Sequence, residues 1–216
     1  MFTQDDDHAL PLEDGRNAQV TPGGSPITCC LRPEHPPGDL ALWFFILAEL
    51  LVFAIFFAAY AFARRANPAL FNEYQQTLDP DLALINTVAL ITASFFVVRS
   101  VRSIRRDDAP ATFRWLIAAL LMGALFLCVK GGEYAHHVGA GINLSTNTFY
   151  MFYLSLTFFH FMHVIMGMVI LAAVTVKTRA GAYSAREHTG IESGASYWHM
   201  VDLVWLILFP LVYVMH

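Results

Sequence analysis

Two short patterns late in the sequence carry side chains able to do chemistry. One is His160-Phe161-Met162-His163 with Gly167, and the other is Tyr197-Trp198-His199-Met200-Val201-Asp202-Leu203-Val204-Trp205. His160 and His163 stand at i and i+3, a spacing that lets two imidazoles converge on one metal or haem edge, or face two neighbouring helices. A metal needs further ligands, and the candidates are His199 and Asp202. Those two are again spaced i, i+3, so an ion pair or hydrogen bond within one helix is feasible. Trp198, Asp202 and Trp205 form a further stripe. Tyr197 and Trp198 read as ring anchors that begin a helix at the membrane surface, which places His199 and Asp202 one or two turns below the headgroups.

Glu49 is the single acid in a long apolar run, flanked by Phe45 and Phe53 at i±4. An ionisable group at membrane depth is costly unless paired or facing a polar interior. Its functional reading is a proton-handling or carbodiimide-reactive carboxyl, and its structural reading is an acid hydrogen-bonded to a neighbouring helix. Asn86 and Thr87 suit hydrogen bonds between helices. Glu133 and Tyr134, beside Gly131-Gly132, read as the close of a helix, with Glu133 an exposed helix-end acid. His136-His137 reads as a lone pair in a loop, unlike the His-rich boxes of membrane di-iron proteins. The chain has no Walker or dinucleotide glycine loop, no nucleophile elbow and no zincin motif.

These residues need elements to hold them. Of the 216 residues, 56% are hydrophobic and 14% charged, against about 25% charged in a soluble domain. A spanning helix takes about 20 mostly apolar residues. The expected fold is all-α, an integral membrane bundle of five helices over about 40–62, 82–101, 115–134, 148–177 and 197–215. The second and third runs are short, and Arg99 and Lys130 are expected to snorkel to the interface. Ten of the thirteen Lys and Arg residues fall in the N-terminal segment and the 99–114 and 177–198 loops. The positive-inside rule therefore puts the N-terminus in the cytoplasm and the C-terminus in the periplasm. Arg102, Arg105 and Arg106 suit topology and anionic lipid rather than nucleic acid.

Residues 1–39 hold seven acidic residues and six of the ten prolines, so 1–37 reads as a flexible cytoplasmic tail before a membrane domain over 38–216. Asp5-Asp6-Asp7 is the reverse of a basic signal sequence and argues against a mitochondrial presequence. A bacterial inner membrane is the expected location. Cys29, Cys30 and Cys128 make neither a disulfide framework nor a C-x-x-C pair. Cys29-Cys30 reads as two incidental tail thiols, with acylation or metal binding as alternatives.

Taken in order, the motifs resemble those of the cytochrome c oxidase subunit III family of the haem–copper oxidase superfamily. The matching pieces are Trp43-Phe44-Phe45 through Glu49 to Tyr60, Asn86-Thr87, Gly132-Glu133-Tyr134, Phe158-Phe159-His160 with His163 and Gly167, and Tyr197-Trp198-His199 with Asp202 and Trp205. The family typically has a two-helix and a five-helix bundle separated by a lipid-filled cleft. This chain resembles shortened members that keep the larger bundle. By position, Glu49 would be the family's carbodiimide-reactive carboxyl. Loss of two helices would remove one wall of the lipid cleft. Phe161 stands where the family usually has glycine, which points to a divergent branch. The wording at 38–57 and 158–163 is most similar to subunit III-like proteins associated with bacterial nitric oxide reductases.

The resemblance implies a non-catalytic accessory subunit of a respiratory haem–copper oxidase or of a nitric oxide reductase acting in denitrification. Such a chain would bind no cofactor itself. Its partners would be membrane lipids and a large catalytic subunit carrying haem, with copper or non-haem iron. A five-span subunit III of a quinol or cytochrome c oxidase is the near alternative. Two other classes stay open: a small haem- or metal-binding oxidoreductase using His160, His163 and His199, and a proton carrier using Glu49. The paired, broken helices common in carriers are not evident in the sequence.

Overall fold

A computed structural model describes residues 40–215 as helices joined by short connections. Helix α1 spans Leu40–Ala66, α2 Pro68–Gln75, α3 Pro80–Ile104, α4 Ala109–Gly139, α5 Thr148–Arg179 and α6 Thr189–Phe209, with a π turn at Pro210–Val214. Five of these stretches are long and apolar enough to cross a membrane. The readings of residues 1–37, including Cys29 and Cys30, lie outside the described residues.

Helix starts follow local chemistry. Asp79 accepts from the Asp81 and Leu82 amides, Asp108 from Ala111, and Asn147 from Tyr150, each side chain satisfying donors that the first turn leaves free. Proline occupies the first turn of α2, α3 and α4, where its missing N–H costs nothing.

Four boundaries differ from expectation. Helix α4 runs to Gly139, so His136 and His137 are helical rather than in a loop, and Glu133 is not at a helix end. The 99–114 loop contracts to residues 105–108, because Arg99, Arg102 and Arg114 extend the helices past the apolar run. Helix α6 starts eight residues before Tyr197. Its first turns are polar by composition, yet Ile191, Gly194 and Ala195 are buried, and a methyl on Gly194 would sit 3.4 Å from the Ile170 Cγ2. Small residues there permit close packing that hydropathy does not register. His199 and Asp202 consequently lie about 15–20 Å along the helix from its first residue at 1.5 Å per residue. The short helix α2, which buries Phe71 and Gln75, was not expected.

Helices α3 to α6 form the packed body, and α1 lies against α5 and α6 as the least buried span. At one end, Arg105 on the 105–108 turn meets Glu192 of α6 at 2.7 Å, and Asp107 accepts from the Ala185 amide. At the other end, Thr77 meets the Tyr150 hydroxyl at 2.9 Å.

Trp198 is the centre of the packing. It is 1% exposed. A Cβ on Gly123 of α4 would approach its Cη2 to 2.9 Å and also meet Met168, and one on Gly167 of α5 would approach its Cε3 to 3.1 Å. The two glycines thus form a slot for one indole. Gly123→Val should destabilise the bundle by about 1–3 kcal/mol through overpacking, read as a lower thermal midpoint in detergent. Gly132→Val, at a position where an added Cβ meets nothing within 4 Å, should leave that midpoint close to wild type.

Candidate functional site

The most charged place inside the bundle is one that hydropathy misassigned. Lys130 does not snorkel: it is 1% exposed. Its Nζ donates to both oxygens of Glu133 at 3.0 Å, to the Tyr153 hydroxyl at 3.1 Å and to the Tyr213 hydroxyl at 2.6 Å. Both tyrosines in turn donate to Glu133. The rings of Tyr134, Tyr153, Trp205 and Tyr213 surround the ammonium at 5.1–5.8 Å, a range at which cation–π attraction operates. Glu133 is therefore a paired internal acid, not an exposed one. The i, i+3 spacing on α4 brings the two charges together, while Tyr153 comes from α5 and Tyr213 from the π turn. The two tyrosines add hydrogen bonds from neighbouring elements to both members of the ion pair, the condition under which burying charge is tolerable.

The two histidines of the first pattern part company. His160 is buried with its ring 5.1 Å from Trp205 and 5.9 Å from Phe126, and neither nitrogen has a hydrogen-bond partner among the described residues. His163 faces α1 instead, its Nε2 lying 3.0 Å from Glu49 Oε2 and its Nδ1 2.7 Å from the Phe159 carbonyl. They do not converge on one point. Phe161 lies edge-on to Tyr134 of α4 at 5.5 Å.

On α6, His199 turns to Ser94 of α3, Nδ1 to Oγ 2.6 Å, rather than forming an ion pair with Asp202. Asp202 is buried, and one of its oxygens has no partner among the described residues. Trp205 donates to Thr87 at 2.9 Å, and Thr87 donates to the Ala83 carbonyl. Asn86 is fully buried with its amide unpartnered among the described residues. Tyr197 stacks on Phe45 of α1 at 6.2 Å.

No group of three or more His, Cys, Asp or Glu side chains that could hold a metal occurs among the described residues. The polar side chains instead link helices in pairs: α1 to α5, α3 to α6, and α4 to α5 and the C-terminal turn. Sequence reasoning missed Lys130, Tyr153, Tyr213 and Ser94. The available signal was the Lys-x-x-Glu spacing inside an apolar run, which is the spacing of an intrahelical ion pair.

Lys130→Met should cost about 3–5 kcal/mol by stranding Glu133. The double variant Lys130→Met, Glu133→Leu should recover much of that loss in a detergent unfolding assay. Equal loss in both variants would show that the charges are not acting as a pair.

The profile of the family described as cytochrome c oxidase subunit III matches residues 38–216, which includes all the described helices. A cytochrome c oxidase subunit 3 from Thermostichus vulcanus is 34% identical over 184 residues, covering 84% of this chain and 90% of that protein. Quinol oxidase subunit 3 of Bacillus subtilis is 29% identical over 178 residues, covering 82% and 86%. A heme-copper oxidase subunit I+III from Aeropyrum pernix is 30% identical over 185 residues, which are 80% of this chain and 22% of that protein. With five apolar helices in place and a match running from before α1 to the C-terminal residue, the chain belongs to the cytochrome c oxidase subunit III family.

Proposed function

We propose that this chain is a non-catalytic accessory subunit of a bacterial respiratory haem–copper oxidase, supporting assembly, stability and sustained turnover of a larger catalytic subunit. The observation that carries the reading is the family match over 38–216. The internal chemistry agrees with it. Lys130, Glu133, Tyr153 and Tyr213 satisfy one another, as do Thr87 with Trp205 and Ser94 with His199, so these polar groups hold helices together. The apolar outer face is broad, with Phe44 73% and Phe62 81% exposed on α1, and it suits lipid and a membrane partner. A relative that carries subunits I and III in one chain supports subunit I as that partner. Haem, with copper or non-haem iron, would reside there.

The proposed location is the inner membrane with the N-terminus cytoplasmic and the C-terminus periplasmic. Burial of Lys130 removes one of the three basic residues on the opposite side and leaves Arg64 and Arg65, which sharpens the charge asymmetry behind that orientation. A second reading, the branch associated with nitric oxide reductase, is favoured by Phe161 at a position where the family usually has glycine. Its ring packs on Tyr134 instead of admitting a close helix.

Purification in mild detergent is expected to recover a large haem-containing subunit with this chain, and the identity of that subunit separates oxidase from nitric oxide reductase. Recovery of this chain alone with its own haem or metal spectrum would overturn the accessory role. Glu49→Gln should leave assembly intact and shorten sustained turnover of the complex. Normal inactivation kinetics would reduce Glu49 to a structural acid.

A further inference from the structure

We infer that the cavity between the end of α4 and the start of α5 binds an uncharged, lipid-soluble ring compound of the quinone class. The cavity has a volume of about 650 Å³, and its walls include Tyr134, His137, Leu144, Leu154, Ser155 and Phe158. Small-molecule sites typically measure about 300–1,000 Å³ and are mostly apolar with a few well-placed polar groups. Leu144 and Phe158 are exposed large apolar residues at its rim, so the mouth suits lipid better than water. Tyr134 stands ten residues past the midpoint of α4, about 15 Å along the helix. Half the hydrocarbon layer is also about 15 Å. For a helix centred in the bilayer, the cavity therefore sits where hydrocarbon gives way to headgroups.

His137 gives the cavity its chemistry. The residue is 8% exposed and lines the cavity, yet its side chain makes no hydrogen bond among the described residues. Its contact with Glu133 is 3.9 Å, Nε2 to Oε1, beyond hydrogen-bond reach. A buried polar group without a partner forfeits the hydrogen bonds it makes in water. An oxygen of a bound molecule would restore one. The Ser155 hydroxyl belongs to the facing wall, on α5.

Charge selects the occupant. None of the described residues lining the cavity is Lys, Arg, Asp or Glu. Lys130, deeper in α4, is committed to Glu133, Tyr153 and Tyr213. A phospholipid phosphate would find no cation here, and an ammonium headgroup no carboxylate, so the fitting ligand is neutral. The position of the polar groups narrows it further. Diacylglycerols and fatty alcohols carry their oxygens at one end. A quinone or quinol ring carries oxygens on opposite edges, matching His137 on α4 and Ser155 on α5, while its isoprenoid tail leaves through the apolar mouth. Tyr134 and Phe158, with ring centroids 6.3 Å apart at 60°, supply aromatic surface for a flat ring. The assignment is of binding, with no redox step in this chain.

The test uses the full-length chain in phosphatidylcholine nanodiscs and a photoreactive azido-benzoquinone carrying one isoprenoid unit. Mass spectrometry is expected to place the light-dependent label within residues 134–158. Excess unlabelled benzoquinone of the same tail length should displace the probe, and phosphatidylglycerol should not. His137→Leu should weaken binding about tenfold, as expected for the loss of one buried hydrogen bond, with the thermal midpoint retained. Leu144→Trp, in the exposed connection before α5, narrows the mouth and should also cut labelling. That second variant keeps the test decisive if His137→Leu unfolds the bundle. Labelling confined to other parts of the chain, equal displacement by phosphatidylglycerol, or labelling that neither variant reduces would each overturn the proposal. These outcomes are read on the chain alone, so they stand or fall separately from its role beside a large subunit.

Discussion

Burying the Lys130 ammonium is the constraint around which one end of the bundle is organised. An unpaired ammonium in an apolar interior costs several kcal/mol, so each of its three protons has to find an acceptor. Glu133 takes its share from the same helix, but Tyr153 and Tyr213 have to arrive from α5 and from the last turn of the chain. Satisfying one side chain therefore fixes the relative depth of three elements that are far apart in sequence. Hydrophobic packing cannot do this in a bilayer, because lipid tails are as apolar as the helix faces and give no preference for register.

The remaining polar contacts work in the same way at other heights. Ser94 and His199 hold α3 to α6 near mid-span, Thr87 and Trp205 hold the same two helices nearer the Lys130 end, and Glu49 with His163 holds α1 to α5. Between them, shape does the fitting: one indole between two glycines, and a series of tilted and edge-on aromatic contacts from Phe53 to Phe149. Sparse hydrogen bonds set the register, and close contacts of rings with small residues supply the packing.

Much of this was legible in advance. Long apolar runs gave five spans, and the ionisable residues among them marked where helices are joined. Other parts could not be read, for physical reasons. Hydropathy reports solubility in lipid, so it ended α4 at charged and polar residues that continue the helix, and it began α6 at Tyr197 although small residues carry the helix back to Thr189. It also made Lys130 a boundary marker, since a lone lysine at the end of an apolar run looks the same whether it reaches for water or for a buried carboxylate. The partners of His160 and His163 were undetermined because i, i+3 spacing fixes a face of the helix but not what lies opposite it. Side chains that meet across helices, such as Ser94 with His199, leave no trace in local sequence.

The π turn at Pro210–Val214 carries a consequence for chain length. Proline lacks the N–H needed to continue an α-helical ladder and crowds the preceding turn, and the backbone answers by accommodating one additional residue, a geometry that persists in proteins mainly where a function depends on it. That added residue brings the Tyr213 hydroxyl to face Lys130. Ordinary α-helical winding over the same number of residues would instead rotate the tyrosine by about 100° away from its partner. The spacing of this final segment is thus set by an angle, and the segment can drift in apolar composition far more freely than in length.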